Sequence, residues 1–542
     1  MWTIVVGAIL SVMALPIATI AVLALRPADN IWPHLVRTVL AGALRDTLLL
    51  MTGVGVLTLV TGTAAAWLVT MYRFPGRGLV DRLLVIPLAM PTYIVAYCYA
   101  EILDYSGPVQ SALRELMGWK SARDYWFPEI RSLPGAMFVM ASVLYPYVYM
   151  TARASFVQQS VCALEVARTL GRTPLGTFRA VALPLARPAL MAGVALVLME
   201  CLNDIGAVQY LGVQTLTASI YSTWLQRSNL GGAAQLAAVM LVFIAIVFAA
   251  ERLARGGAQV HHTTGRYRSI PFQDIEGWRG IVAAVFCAMP FVVGFVLPFL
   301  VLVRHACTHT SGAFAGGFAG AAFNSLLLAA LTAAGAVVLA LVLGYARRVA
   351  PNGFTRPAVR LASLGYALPG TVLAIGLLIP LAALDNRVDQ WFRDHWGVAT
   401  GLLLSGSAFA LIIAYVIRFL AVALGSVEAG LERISPNLDA AARALGETSL
   451  SALGRVHLPL LMPALGAAGL LVFVDCMKEL PATLLLRPFN FETLATHVYG
   501  FAALEQFEDA ALGALAIVVT GLVPLLLLHK AVAGGRSGSG SE

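Results

Sequence analysis

One stretch of this chain occurs twice, and the duplication limits its architecture more than any other feature. Residues 164–208 and 439–483 align without a gap at an offset of 275 positions. Identities fall at Ala167/Ala442, Arg168/Arg443, Leu170/Leu445, Gly171/Gly446, Thr173/Thr448, Leu183/Leu458, Pro184/Pro459, Pro188/Pro463 and Cys201/Cys476, and the acids Glu200 and Asp204 fall on Asp475 and Glu479. So many matches in one register mark a repeated structural unit. Each copy predicts a short amphipathic helix, a turn at the glycine, a second helix stopped at Leu-Pro, and then a membrane-length apolar helix with acids inside it. A connector too polar to enter lipid, followed directly by a helix that can, lies at a membrane face.

The rest of the chain agrees with a membrane setting. Of 542 residues 59% are hydrophobic and 12% charged, which excludes a soluble globule. The reading is an all-α polytopic membrane protein. About 20 apolar residues cross the hydrocarbon layer, and twelve candidate spans lie near 3–25, 46–70, 80–103, 135–157, 186–208, 232–251, 281–303, 324–346, 360–384, 399–422, 460–482 and 510–529. They divide into a first unit (1–252), a polar linker (253–280) and a second unit (281–530), with a flexible tail or cloning scar at 531–542. An even number of spans per unit makes the two units parallel, related by an axis along the membrane normal. Arginines cluster in alternate loops, for example Arg73, Arg77 and Arg82, then Arg347, Arg348, Arg356 and Arg360. Positive-inside topology then puts both termini and both repeated connectors in the cytoplasm. The first apolar run lacks a basic leader and is expected to remain as a span. The charge of +8 reports topology, and no nucleic-acid role is read from it. The six cysteines are scattered singly and read as packing residues.

The repeated connector carries a recognisable spacing: Glu-Ala-Ala, three residues, Gly, nine residues, an aliphatic, one residue, Leu-Pro. Glu165-Val166-Ala167, Gly171, Val181 and Leu183-Pro184 fit it, as do Ala440-Ala441-Ala442, Gly446, Val456 and Leu458-Pro459. In this the chain resembles the permease subunits of bacterial binding-protein-dependent ABC importers, here as a fused, two-unit chain. The resemblance implies an inner-membrane, multi-pass transport subunit surrounded by lipid. Its partners would be a homodimeric ABC ATPase on the cytoplasmic side and a periplasmic substrate-binding protein. The residues implied to couple to the ATPase are Glu165, Ala167, Arg168, Gly171, Leu183 and Pro184 in the first copy. In the second they are Asp439, Ala441, Ala442, Arg443, Gly446, Leu458 and Pro459. The motif glutamate is alanine at 440, with Asp439 one position earlier, so the second copy is expected to meet its partner differently. No GxxxxGK[ST] occurs, since none of the three lysines follows a glycine. The chain is therefore expected to be no enzyme itself and to bind no cofactor, with ATP and Mg held by the partner. Segments 88–110, 198–213 and 477–499 are most similar to fused ferric iron permeases, with thiamine permeases close behind. A twelve-helix secondary transporter is the rival from another class, and would have no need of paired docking helices.

Glu200 with Asp204, and Asp475 with Glu479, stand four residues apart on helix faces at equivalent depth. Charges at that depth are expensive and are expected to line a polar path. The candidate translocation residues are thus Glu200, Asp204, Asp475, Lys478 and Glu479, with local pairing to Lys478 as the competing reading. Tyr93, Tyr97, Tyr99, Tyr145, Tyr147 and Tyr149 read as an interfacial aromatic belt. His305, Cys307 and His309 alternate in the manner of metal ligands but lack a fourth, so no metal site is assigned.

Overall fold

The computed structural model describes residues 2–159, 169, 171–255, 273–308 and 317–534. Among these, β structure amounts to one two-residue parallel bridge, Tyr72–Arg73 against Gln273–Asp274, which returns the end of the linker to the end of the second helix. Everything else regular is helix. In chain order the elements used below are α1 (Trp2–Leu25), α2 (Trp32–Met71), α3 (Thr92–Leu103), α4 (Leu133–Gln158), α5 (Pro174–Asn203) and the short α6 (Gly206–Tyr210). The chain continues with α7 (Leu230–Arg255), α8 (Gly277–Thr308), α9 (Phe318–Val349), α10 (Gly370–Trp396) and α11 (Ala408–Glu432). It ends with α12 (Pro436–Ala444), α13 (Ser449–Met477), the short α14 (Pro481–Leu486) and α15 (Phe507–Gly534).

Ten of the described helices are long and apolar enough to cross a membrane, and a bent pair, Arg77–Ala89 with Thr92–Met117, makes an eleventh. The remaining expected span corresponds to α15, whose side chains from 524 onward lie outside the described residues. The bent pair turns by 96° where a straight span over 80–103 was expected. Pro91 explains the bend, because it offers no N–H to continue the helix and keeps Met90 extended, at ψ 116°. Pro369, 278 positions later, does the same to Leu368 (ψ 121°) at the start of α10.

The chain packs as two units, one of residues 38–218 and 240–307, the other of residues 1–37, 219–239 and 308–542. These do not coincide with the halves of the sequence: α1 belongs with the helices of the second half, and α8 with those of the first. In the unit that holds α1, this helix presents Val6, Met13, Pro16 and Ile20 along one buried stripe. At Gly376 of α10 it comes so close that a Cβ would lie 2.5 Å from the Pro16 carbonyl oxygen. Helices α9, α11 and α13 complete that core. In the unit that holds α8, α2 packs along α4 and α5, and Tyr99 of α3 donates to the Val293 carbonyl of α8 at 2.7 Å.

Five of the six tyrosines expected as a belt are core residues instead, and Tyr147 is half-buried. Tyr93, Tyr97, Tyr99, Tyr145 and Tyr149 are all buried, and Tyr149 donates to Asp81 Oδ1 at 2.5 Å. Cys98, Cys201, Cys287 and Cys476 are buried as packing residues, whereas Cys307 is exposed.

Candidate functional site

The second repeated connector shows how its sequence makes a projecting segment. Ser435 caps α12 by accepting from the Asn437 N–H, and Pro436 occupies the first helical turn, where no N–H is needed. After Ala444 the chain reverses at Gly446, whose φ of 79° lies in the left-handed region, and the Glu447 N–H returns to the Ala442 carbonyl at 3.0 Å. Thr448 then caps α13 through the Ser451 N–H. Ala440, Ala441, Arg443 and Gly446 are exposed, and Leu445 is 84% exposed. Ala442 is buried against the body of its unit.

The first copy repeats this geometry where it is described. Gly171 has φ 78°, Thr173 caps α5 through the Gly176 N–H, and Leu175, the counterpart of Leu450, is equally exposed at 56%. Glu165, Ala167 and Arg168 lie outside the described residues. The helix expected to stop at Leu-Pro does not stop in either copy. Leu183-Pro184 and Leu458-Pro459 sit inside continuous helices of 30 and 29 residues. Each proline follows a π-helical turn, Phe178–Ala182 or Leu453–His457. The widened turn shifts the hydrogen-bond register, so that the helix does not depend on an N–H at the proline.

Asp439 faces its own unit. Its carboxylate lies 2.7 Å from Arg348 Nη2 and 2.7 Å from His457 Nε2. The Arg348 guanidinium also donates to the carbonyls of Leu431 and Ile434, at 2.5 and 2.9 Å.

At the far ends of α5 and α13 the paired acids terminate the long helices and start the short ones. Asp204 Oδ1 accepts from the Ala207 N–H at 2.8 Å, and Glu479 Oε1 from the Ala482 N–H at 3.3 Å, both in the 275-residue register. Their second contacts differ. Thr92, at the start of α3, donates to Asp204. Its counterpart in the 278-residue register is Gly370, where a Cβ would fall 2.7 Å from Glu479 Oε1. Into the room so left comes Arg418 of α11, 3.2 Å from the Glu479 carboxylate, with the two side chains only 6% and 5% exposed. Tyr415 bonds Thr483 beside them. Asp475 is paired with Lys478 at 2.9 Å, and Glu200 is half-buried.

Sequence reading missed Arg418, Thr92 and Gly370. Arg418 did leave a signal, as a lone charge inside the apolar run 408–424. Thr92 and Gly370 left none, because only the fold brings them to the acids. Of the alternating trio, His305 lies 2.5 Å from Glu101 and His309 is outside the described residues. Among the described residues no cluster of three or more His, Cys, Asp or Glu could hold a metal ion.

Residues 58–255 match the family model of the binding-protein-dependent transport system inner membrane component. Over 501 residues the chain is 27% identical to the Fe(3+)-transport system permease protein FbpB 2 of Haemophilus influenzae, covering 92% of this chain and 91% of the relative. It is 23% identical over 503 residues to a probable ABC transporter permease, y4fN, of Sinorhizobium fredii, covering 87% and 84%. A sulfate transport system permease, CysT of Salmonella typhimurium, is 31% identical over 180 residues, 33% of this chain and 62% of the relative.

Proposed function

From the premise that this chain is a fused, two-unit permease subunit of a binding-protein-dependent ABC importer, we propose that its cargo is ferric iron. The observation that carries the reading is the extent of the correspondence. The relative named for Fe(3+) transport matches across nearly the whole of both chains, whereas the relative named for sulfate transport matches only one third of this one. Ferric iron would be delivered by a periplasmic binding protein. ATP, with Mg, would be hydrolysed by a homodimeric ATPase docked on the two repeated connectors in the cytoplasm.

The geometry supports the coupling part of this reading through its symmetry. Two segments with the same glycine turn, the same threonine cap and the same exposed leucine suit a partner that presents two copies of one surface. Each connector leads without a break into a span, α5 or α13, and each span ends at an acid that caps a short helix. A displacement of the connector is thereby carried through one rigid helix to the region of Asp204 or Glu479. Local pairing of Asp475 and Glu479 leaves the second unit with little net negative charge at this point.

The test is uptake by proteoliposomes holding the chain, its ATPase and its binding protein, with labelled ferric citrate outside and ATP inside. ATP-dependent iron accumulation is expected, undiminished by excess sulfate, 2-aminoethylphosphonate or thiamine. Accumulation of one of those competitors without iron would replace the cargo assignment and leave the permease premise standing.

A further inference from the structure

We infer that the two docking segments are chemically unequal, and that Asp439 is a positioning residue that ties the second one to the membrane helices. The inference rests on the reading of the connectors as ATPase docking segments. Asp439 falls one residue before the position that holds glutamate in the first copy, and sequence spacing alone would aim it at the partner.

Three observations support an inward role. The Asp439 carboxylate lies 2.7 Å from nitrogens on two different helices, Arg348 Nη2 at the end of α9 and His457 Nε2 in the π-helical turn of α13. Arg348 in turn donates to the Leu431 carbonyl in the last turn of α11 and to the Ile434 carbonyl two residues past its end, where the helix dipole favours a positive charge. Tyr345 closes the cluster. Its ring packs edge-on against His457 at 5.1 Å, and its hydroxyl donates to the Ser449 carbonyl at 2.7 Å. His457 is fully buried, with one ring nitrogen toward the Asp439 carboxylate and the other toward the Ala452 carbonyl. One side chain on α12 thus joins α9, α11 and α13.

The first unit has no such cluster at the corresponding positions. In the repeat registers Tyr345, Arg348 and His457 become Trp67, Thr70 and Ala182. There Trp67 packs on Phe156 and Phe178, with centroids 5.4 and 4.9 Å apart. At these positions the first unit has apolar ring packing in place of charge, and the first connector has Glu165 in its motif. The second is held by charge, has alanine at 440, and turns Arg443 and Leu445 outward. Charge-assisted hydrogen bonds are directional and break over a short distance, whereas ring packing yields gradually. The second connector therefore moves with α9, α11 and α13 as one body.

The experiment has two arms. In the first, the purified full-length chain without any partner is followed by hydrogen exchange. Asp439→Asn should raise exchange of amides 437–446 about tenfold, the effect of losing a charge-assisted bond of about 1.4 kcal/mol. Arg348→Gln should do the same, and the double variant should add nothing further. Unchanged exchange in Asp439→Asn, or fully additive effects, would overturn the tether. In the second arm the assembled complex is compared with Glu165→Gln. Asp439→Asn should keep the ATPase bound while iron moved per ATP falls several-fold, and Asp439→Glu should restore part of it. Loss of the ATPase from Asp439→Asn to the extent seen in Glu165→Gln would mean that Asp439 faces the partner, against the proposal. If the wild-type chain retains no ATPase, the docking reading fails, and the exchange arm still decides the tether.

Discussion

A single residue decides whether the charges near the end of α13 serve the cargo or the fold. Arg418 is almost wholly buried and lies 3.2 Å from Glu479, so neutralising the acid removes the counter-charge of a guanidinium held out of water. Glu479→Gln is expected to destabilise the chain by about 3–5 kcal/mol, the usual cost of leaving one partner of a buried pair uncompensated. Arg418→Met together with Glu479→Leu should recover most of the loss, because two apolar side chains need no partner. Thermal unfolding of the detergent-purified variants would show this, and a double variant less stable than Glu479→Gln would contradict it. Asp204 is the contrasting case, since Thr92 and the Ala207 N–H satisfy it without a cation. Asp204→Asn is expected to cost about 1–2 kcal/mol and to leave the chain folded. The acids were legible in the sequence as equivalent pairs, but their partners were not. A threonine and a glycine in a distant segment become neighbours only through the packing of α3 and α10.

At the scale of an element, the connector was legible where local chemistry determines it and illegible where hydrogen-bond register does. Gly171 and Gly446 had to be turn residues, and both adopt left-handed φ, 78° and 79°. A β-branched side chain there meets its own backbone, at a cost of about 1–3 kcal/mol. Gly446→Val is therefore expected to distort α12 and to reduce the ATPase retained on purification several-fold, with the amount of chain in the membrane unchanged. Full retention with normal transport would remove the turn from the coupling path. The expected helix stop at Leu-Pro failed for a physical reason. A proline inside a helix usually costs a hydrogen bond and a clash with the preceding turn. The π-helical turns at 178–182 and 453–457 absorb both, and composition carries no mark of that shift. The same limit hid the bend at Pro91, because the apolar run continues across it and periodicity reads it as one straight helix.

For the whole molecule, the repeat and the apolar runs were enough to give an all-α, polytopic, duplicated chain, and the arginine bias gave a topology that can be checked directly. Reporter fusions after residues 265 and 445 should both report the cytoplasm. A periplasmic signal at either would mean a span miscounted in that half. Which helix packs with which was not legible, because lipid-facing and helix-facing apolar residues look alike in a membrane sequence. The membership of α1 shows the consequence. Its stripe of Val6, Met13, Pro16 and Ile20 is buried in the unit built from second-half helices, and Trp2 meets Tyr345 edge-on at 5.5 Å. Since a Cβ on Gly376 would fall 2.5 Å from the Pro16 carbonyl oxygen, a large side chain there cannot be accommodated while the α1 backbone stays in place. Gly376→Leu should separate α1 from α10, raise amide exchange in both, and disturb the Tyr345 cluster that Trp2 touches. Helices α4 and α5, and α2 from Thr38 onward, share no unit with this contact, so their exchange should remain at the wild-type level. Chains divided by sequence halves would give the reverse pattern, with disturbance spreading through α2 and α4 and sparing α10.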